Sequence, residues 1–245
     1  MSYVDIGWPW GVALIGIIAY CFSDNVTLTK ILMVIAYVLI GSRMGLGALR
    51  MWSLGLLNKE FPRYEYQKIR WKKSGKSNEK LAMQIEALSQ GLANASFLAI
   101  PIFLISVSPF TQLSTLEIIG FTIFILSIVF ETVADYQKLK FLKEMKRQNK
   151  QNMVCDIGLW KYTRHPNYFA EWMVWNSLII AAIPSYISLF DSEALWLWIM
   201  IGVALLYTSR IMYITLVYLT GAVPSEYYSA QKRPAYKAYQ QSTNV

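Results

Sequence analysis

The chain has 245 residues, 55% of them hydrophobic and 15% aromatic, with a positive mean hydropathy and a formal net charge of +8. A solitary histidine, His165, and two cysteines, Cys21 and Cys155, exclude a multi-histidine metal site, a histidine-built di-iron centre and a disulfide framework. No Gly-x-Gly-x-x-Gly or Walker sequence occurs, so any nucleotide site here is neither a Rossmann nor a P-loop one.

Several apolar runs approach the roughly 20 residues that a membrane-spanning helix needs. Six are expected, at about 8–23, 31–50, 93–110, 115–136, 167–188 and 195–220. They must be helical, because lipid offers no hydrogen-bond partners to an open strand edge. The expected fold is therefore all-α, a polytopic transmembrane helical bundle forming one domain over 1–245. The first run lacks a basic leading segment and a small-residue cleavage pattern, so it reads as a span and not as a cleaved leader. Basic residues gather in three places: 58–80, from Lys59 to Lys80; 137–164, from Lys138 to Arg164; and the tail, at Lys232, Arg233 and Lys237. Six spans put all three on one face of the membrane, which the positive-inside rule makes cytoplasmic, with both termini on that side. Topology accounts for the basic runs without a nucleic-acid partner.

Taken in order, Trp8, Pro9 and Trp10 read as interfacial anchors of the first span. Arg43 and Arg50, seven apart on the second, share a helical face and are expected to line one cleft. Residues 58–92 form a basic cytoplasmic loop with Tyr64 and Tyr66, followed by an amphipathic stretch at about 79–92 suited to the membrane surface. Pro101 is expected to kink the third span. The fourth ends with Glu131 and Asp135 on one face, then Gln137, Lys138 and Lys140. These acids read either as a solvated border pair or as acceptors for neutral groups of a nucleotide, with lysines meeting phosphate. The 137–166 segment is a second basic cytoplasmic loop, the expected cofactor loop. Arg210, within the sixth run, is expected to face inward, because a lipid-facing arginine at mid-depth costs at least ~2.5 kcal/mol.

The densest chemistry lies in Asp156–Trp172, DIGLWKYTRHPNYFAEW. Pro166 suits the first turn of a helix. Arg164 and His165 then flank a helix N-terminus, where free N–H groups and the dipole favour an anion. Asn167, Tyr168 and Glu171 share the first face of the new helix. The bland alternative is a topology-setting basic loop with an aromatic belt.

Gly158-Leu-Trp-x-Tyr-x-Arg164-His165-Pro166-Asn167-Tyr168-x-x-Glu171 resembles the C-terminal signature of the steroid 5-alpha-reductase family, most closely its bacterial and algal members. The resemblance implies a polytopic membrane reductase that uses NADPH. It extends from about residue 43 onward and includes Leu56-Leu57-Asn58-Lys59, which follows Arg50 as a comparable sequence follows a cofactor-binding arginine in that family. It also implies a cofactor role for Asp135, and a tyrosine as proton donor, for which Tyr64 is the candidate. Two positions depart from the characterised reductases. Gly47 stands where they have a catalytic tyrosine, and their Gln-Glu pair has no counterpart, so their 3-oxo-steroid apparatus is missing from its usual places.

The sequence thus points to NADPH-dependent reduction of a carbon–carbon double bond in a lipid-soluble, steroid- or isoprenoid-like substrate. Expected cofactor contacts are Arg50, Asp135, Lys138, Arg164, His165, Asn167, Tyr168 and Glu171. The shorter Arg-His-Pro-x-Tyr form is shared with isoprenylcysteine and phospholipid methyltransferases, which keeps an S-adenosylmethionine enzyme as the alternative. A non-enzymatic lipid-binding membrane protein is the third reading, favoured by the two departures.

Overall fold

The computed structural model describes residues 2–58 and 60–245, so Lys59, counted among the basic residues of 58–80, lies outside the described residues. Ten α-helices occur among them: α1 (Val4–Cys21), α2 (Leu28–Ser53), α3 (Pro62–Lys73), α4 (Glu79–Ala95), α5 (Ile100–Ser106), α6 (Thr115–Arg147), α7 (Pro166–Ser188), α8 (Leu195–Ile214), α9 (Ala222–Lys232) and α10 (Tyr236–Ser242). No strand occurs among the described residues, only an isolated bridge between Thr163 and Asn244. The helix starts follow local chemistry. Thr27 and Asn78 cap α2 and α4 through their side-chain oxygens, and Ser114 with Glu117 forms a reciprocal capping box on α6.

Among the described residues, five helical segments are long and apolar enough to cross a membrane: α1, α2, α4 with α5, α6, and the segment beginning with α8. Their outward faces carry large apolar side chains, among them Leu14, Ile35, Leu39, Ile125, Leu126 and Val129, as lipid contact demands. This is an integral membrane protein. The remaining expected span, α7, does not reach the same apolarity, and its position explains why. Trp175, Val174, Leu178, Ala181 and Ala182 are fully buried at the centre of the core. The Tyr37 ring meets Trp175 edge-on at 5.9 Å. A helix enclosed by protein can hold polar residues that a lipid-facing one cannot.

Two antiparallel hairpins organise the bundle. In one, α2 returns along α1; in the other, α7 returns along α6, with Gly120 against Ser177 and Ala181 at one end and Asp135 near Asn167 at the other. A Cβ added at Gly120 would lie 2.7 Å from the Ala181 nitrogen and the Ser177 oxygen, so only glycine permits this approach. Gly120→Val is therefore expected to destabilise the protein by about 1–3 kcal/mol, the usual cost of overpacking. Denaturant titration in detergent checks it, with Gly47→Ala as control, since a Cβ at Gly47 meets nothing within 4 Å.

Three expectations change. The amphipathic stretch at 79–92 is not separate from the third span but its first half, α4. Leu81, Ile85, Leu88 and Leu92 form an exposed stripe at helical spacing, while Glu86, Ser89 and Gln90 face a cavity. Amphipathicity here separates lipid from an interior hollow, and not lipid from water. The break in this span precedes Pro101, at Ser96 and the tight turn Phe97–Ala99. Pro101 sits in the first turn of α5, where its missing N–H has no helical partner to lose. Arg210 does not face inward: it is exposed, with its guanidinium 5.8 Å from the Tyr213 ring centroid. Only four residues from the end of α8, its long side chain can extend toward the interface.

Candidate active site

The central motif folds as a cap over the ends of α6 and α7. Gly158 takes a positive φ of 55°, opening the tight turn Gly158–Lys161. Gln137 accepts from the Leu159 amide at 2.8 Å, and the buried Trp160 indole donates to the Ala134 carbonyl at 2.9 Å. Lys138 lies 4.0 Å from the Trp160 ring centroid, a cation–π contact on this cap. Pro166 then starts α7, as expected.

Arg164 does not present a free fork to an anion. Its Nε donates to Glu226 Oε1 at 2.8 Å and its Nη2 to Oε2 at 3.4 Å, while Nη1 donates to the carbonyls of Gln240 and Thr243. His165 Nε2 lies 2.8 Å from the same Glu226 oxygen, and its ring stacks on Tyr168 at 5.1 Å. Gln240 donates to Glu226 Oε2 at 2.7 Å, and the Arg164 amide donates to Asn244 at 2.8 Å. The C-terminal segment thus covers the start of α7. Arg164, expected to meet phosphate, is engaged by a carboxylate 62 residues away, which supplies a bidentate partner. His165 shares that clamp.

Asp135, Asn167 and Glu171 are brought together, but around Arg43 and not Arg50. Arg43 pairs with Glu131 and, at 2.9 Å, with Asp135, and Asn167 lies close to the Asp135 carboxylate. Glu171 accepts from the Trp175 indole at 3.2 Å and lies close to Glu131. Arg50 lies two turns beyond Arg43, about 10 Å along the axis. It is exposed and makes no ion pair among the described residues. The shared face expected of the two arginines leads past the acid cluster before Arg50 is reached. Two buried acceptors of this cluster, Glu131 Oε2 and Asn167 Oδ1, have no partner among the described residues.

Beside the cluster, between α1, α2, α3, α4 and α8, lies a cavity of about 340 Å³. Trp8, Met44, Met51, Leu98, Ile211, Met212 and Leu216 make its wall mainly apolar, and the polar groups facing it include Tyr64, Asp5, Arg63, Gln90 and Glu171. Tyr64 is 4% exposed and donates to Asp5 Oδ1 at 2.6 Å. Burial, then the adjacent Asp5 charge, pushes the Tyr64 hydroxyl well above the ordinary tyrosine range, so it holds its proton at neutral pH. Arg63 pairs with the other Asp5 oxygen. Pro62 begins α3, and Ser2 donates to Glu60 through its amide and its hydroxyl, both at 3.0 Å. These contacts pin α3 across the end of α1 and deliver Tyr64 to the cavity. A tyrosine therefore reaches the hollow from α3, although Gly47 on α2 offers none.

Sequence reasoning passed over Asp5, Glu226 and the pairing role of Arg43. Asp5, just ahead of an apolar run, looks like an interfacial acid, and Glu226 like one charge in a polar tail. Only the fold brings them to Tyr64 and Arg164. Among the described residues no group of three metal-ligating side chains forms. A family model described as "Protein of unknown function (DUF1295)" matches residues 1–243. No curated protein matches the chain, and neither does any solved structure.

Proposed function

Since the chain belongs to the DUF1295 family, whose description assigns no activity, its chemistry is read from the cavity, and we propose a membrane-embedded, NADPH-dependent reductase of a carbon–carbon double bond in a lipid-soluble, steroid- or isoprenoid-like substrate. The observation that carries this reading is Tyr64: a protonated phenol, oriented by Asp5, in the wall of an otherwise mainly apolar cavity. Such a hollow excludes water from an apolar acceptor and keeps one proton donor at hand. NADPH supplies the hydride when bound. Tyr64 donates the proton to the second carbon, and Arg63 beside it favours the phenolate left behind.

The chain has groups that suit the cofactor's neutral end. The unpartnered acceptors Glu131 Oε2 and Asn167 Oδ1, with Asp135 and Glu171 alongside, fit a donor-rich carboxamide or ribose. In this reading the basic ends of the bundle face the cytosol, from which NADPH enters, and both termini lie there. The resemblance of residues 158–171 to the steroid 5-alpha-reductase signature supports the same conclusion.

Titrating the protein in uncharged nanodiscs with NADPH and with S-adenosylmethionine tests the proposal. Saturable NADPH binding, weakened by Glu171→Gln or Asp135→Asn, is the expected result. Selective binding of S-adenosylmethionine would replace the reading with a methyltransferase, and binding of neither would leave a lipid-binding protein.

A further inference from the structure

With Arg164 engaged by Glu226, the phosphate end of the ligand needs another home. A second pocket, of about 430 Å³, opens between α3 and α9. Arg63, Lys232 and Arg233 line it with the hydroxyls of Tyr168, Ser225 and Ser229, and no carboxylate does. Lys232 and Arg233 form no ion pair among the described residues, and Arg233 Nη1 is held toward the pocket side of α9 by Ser229 Oγ at 2.7 Å. Among the described residues, Arg63 is tied to Asp5 through one terminal nitrogen only, and its buried Nε has no acceptor. Three cations at one hollow repel each other, and an anion rich in acceptor oxygens relieves that repulsion. Tyr66 and Tyr227, packed at a tilt with ring centroids 5.0 Å apart, hold α3 on α9 independently of that anion.

We infer that this pocket is a phosphate-binding subsite, holding a phosphate ester whose remainder extends toward the apolar cavity. The two hollows share Met51, Arg63 and Thr220 in their walls, so one ligand can occupy both. Arg63 thereby touches phosphate on one side and the Asp5–Tyr64 pair on the other, placing the charged group next to the proposed chemistry. The phosphate can belong to a dinucleotide or to a lipid headgroup; in the dinucleotide form the inference rests on the reductase reading, and it replaces Arg164 with Arg63, Lys232 and Arg233.

The test uses Lys232→Gln and Arg233→Gln, both at the rim of the pocket and outside the packed core. Pyrophosphate and NADPH are titrated in phosphatidylcholine nanodiscs, and retention of phosphatidic acid from mixed nanodiscs is measured by native mass spectrometry. Either substitution is expected to weaken the bound phosphate ligand roughly tenfold or more, as for other hydrogen bonds to charged groups. Loss confined to NADPH and pyrophosphate identifies a nucleotide, and loss confined to phosphatidic acid identifies a lipid headgroup. If wild type binds NADPH and both variants bind it equally well, with phosphatidic acid retention also unchanged, the subsite is overturned while the reductase reading stands. If wild type binds no NADPH yet the substitutions abolish pyrophosphate or phosphatidic acid binding, the reductase reading falls and the subsite remains.

Discussion

Tyr64→Phe is expected to slow NADPH-dependent reduction by about two to four orders of magnitude, the usual contribution of a positioned general acid. The substitution removes one hydroxyl from a wall that is otherwise unchanged, so NADPH affinity and helical content should persist. Losing its hydrogen bond to Asp5 costs stability only about 1 kcal/mol, because Arg63 continues to pair with that carboxylate. Asp5→Asn keeps the geometry but removes the charge that orients the donor, and a smaller loss of rate should follow. The pH profile supplies an independent readout. Burial and the Asp5 charge raise the Tyr64 hydroxyl, which is protonated below its pKa, so no decline attributable to this group is expected between about pH 6 and 9. Cofactor oxidation by the purified protein, supplied with a membrane lipid extract as acceptor, would reveal both effects. A Tyr64→Phe protein that turns over at the wild-type rate removes Tyr64 from the mechanism.

Glu226→Ala should have the largest effect on stability, about 3–5 kcal/mol, because it leaves the Arg164 guanidinium without its charged partner in a buried place. The two side chains are 11% and 12% exposed, and His165 and Gln240 lose their shared acceptor as well. The C-terminal segment after α9, held by the same residues, should then become open to protease. Thermal unfolding and limited proteolysis measure the two consequences. Pairing Glu226→Leu with Arg164→Met, which removes both charges, should recover much of the loss, as buried ion pairs commonly exchange for apolar packing at little net cost. Were Arg164 a phosphate ligand and not a clamp, Glu226→Ala would instead tighten NADPH binding by freeing the fork.

Much of the site's location was legible from residue types at helical spacing. Glu131 and Asp135 four apart, and Asn167 and Glu171 four apart, had to share faces of α6 and α7, whereas the long connection at 148–165 left their meeting to the fold. What spacing cannot convey is which cation answers them. Arg43 and Arg50 lie on one face of α2 at different depths, and depth is decided by how far α2 slides along its neighbours, a property of core packing. Arg164 shows the same limit: a helix N-terminus invites an anion, but whether that anion is a ligand or Glu226 depends on where a distant tail returns.

The all-α class, the membrane-spanning character and the start of α7 at Pro166 were determined by sequence alone, because each follows from a local rule: apolar length against bilayer thickness, and proline in a first turn. The tertiary structure decided the rest. It turned the polar face of α4 toward a cavity in place of water, brought Tyr64 to Asp5 across 59 residues, and closed Arg164 onto Glu226. These are long-range pairings among charged and polar groups, and their energies depend on the burial and depth that only the assembled bundle creates.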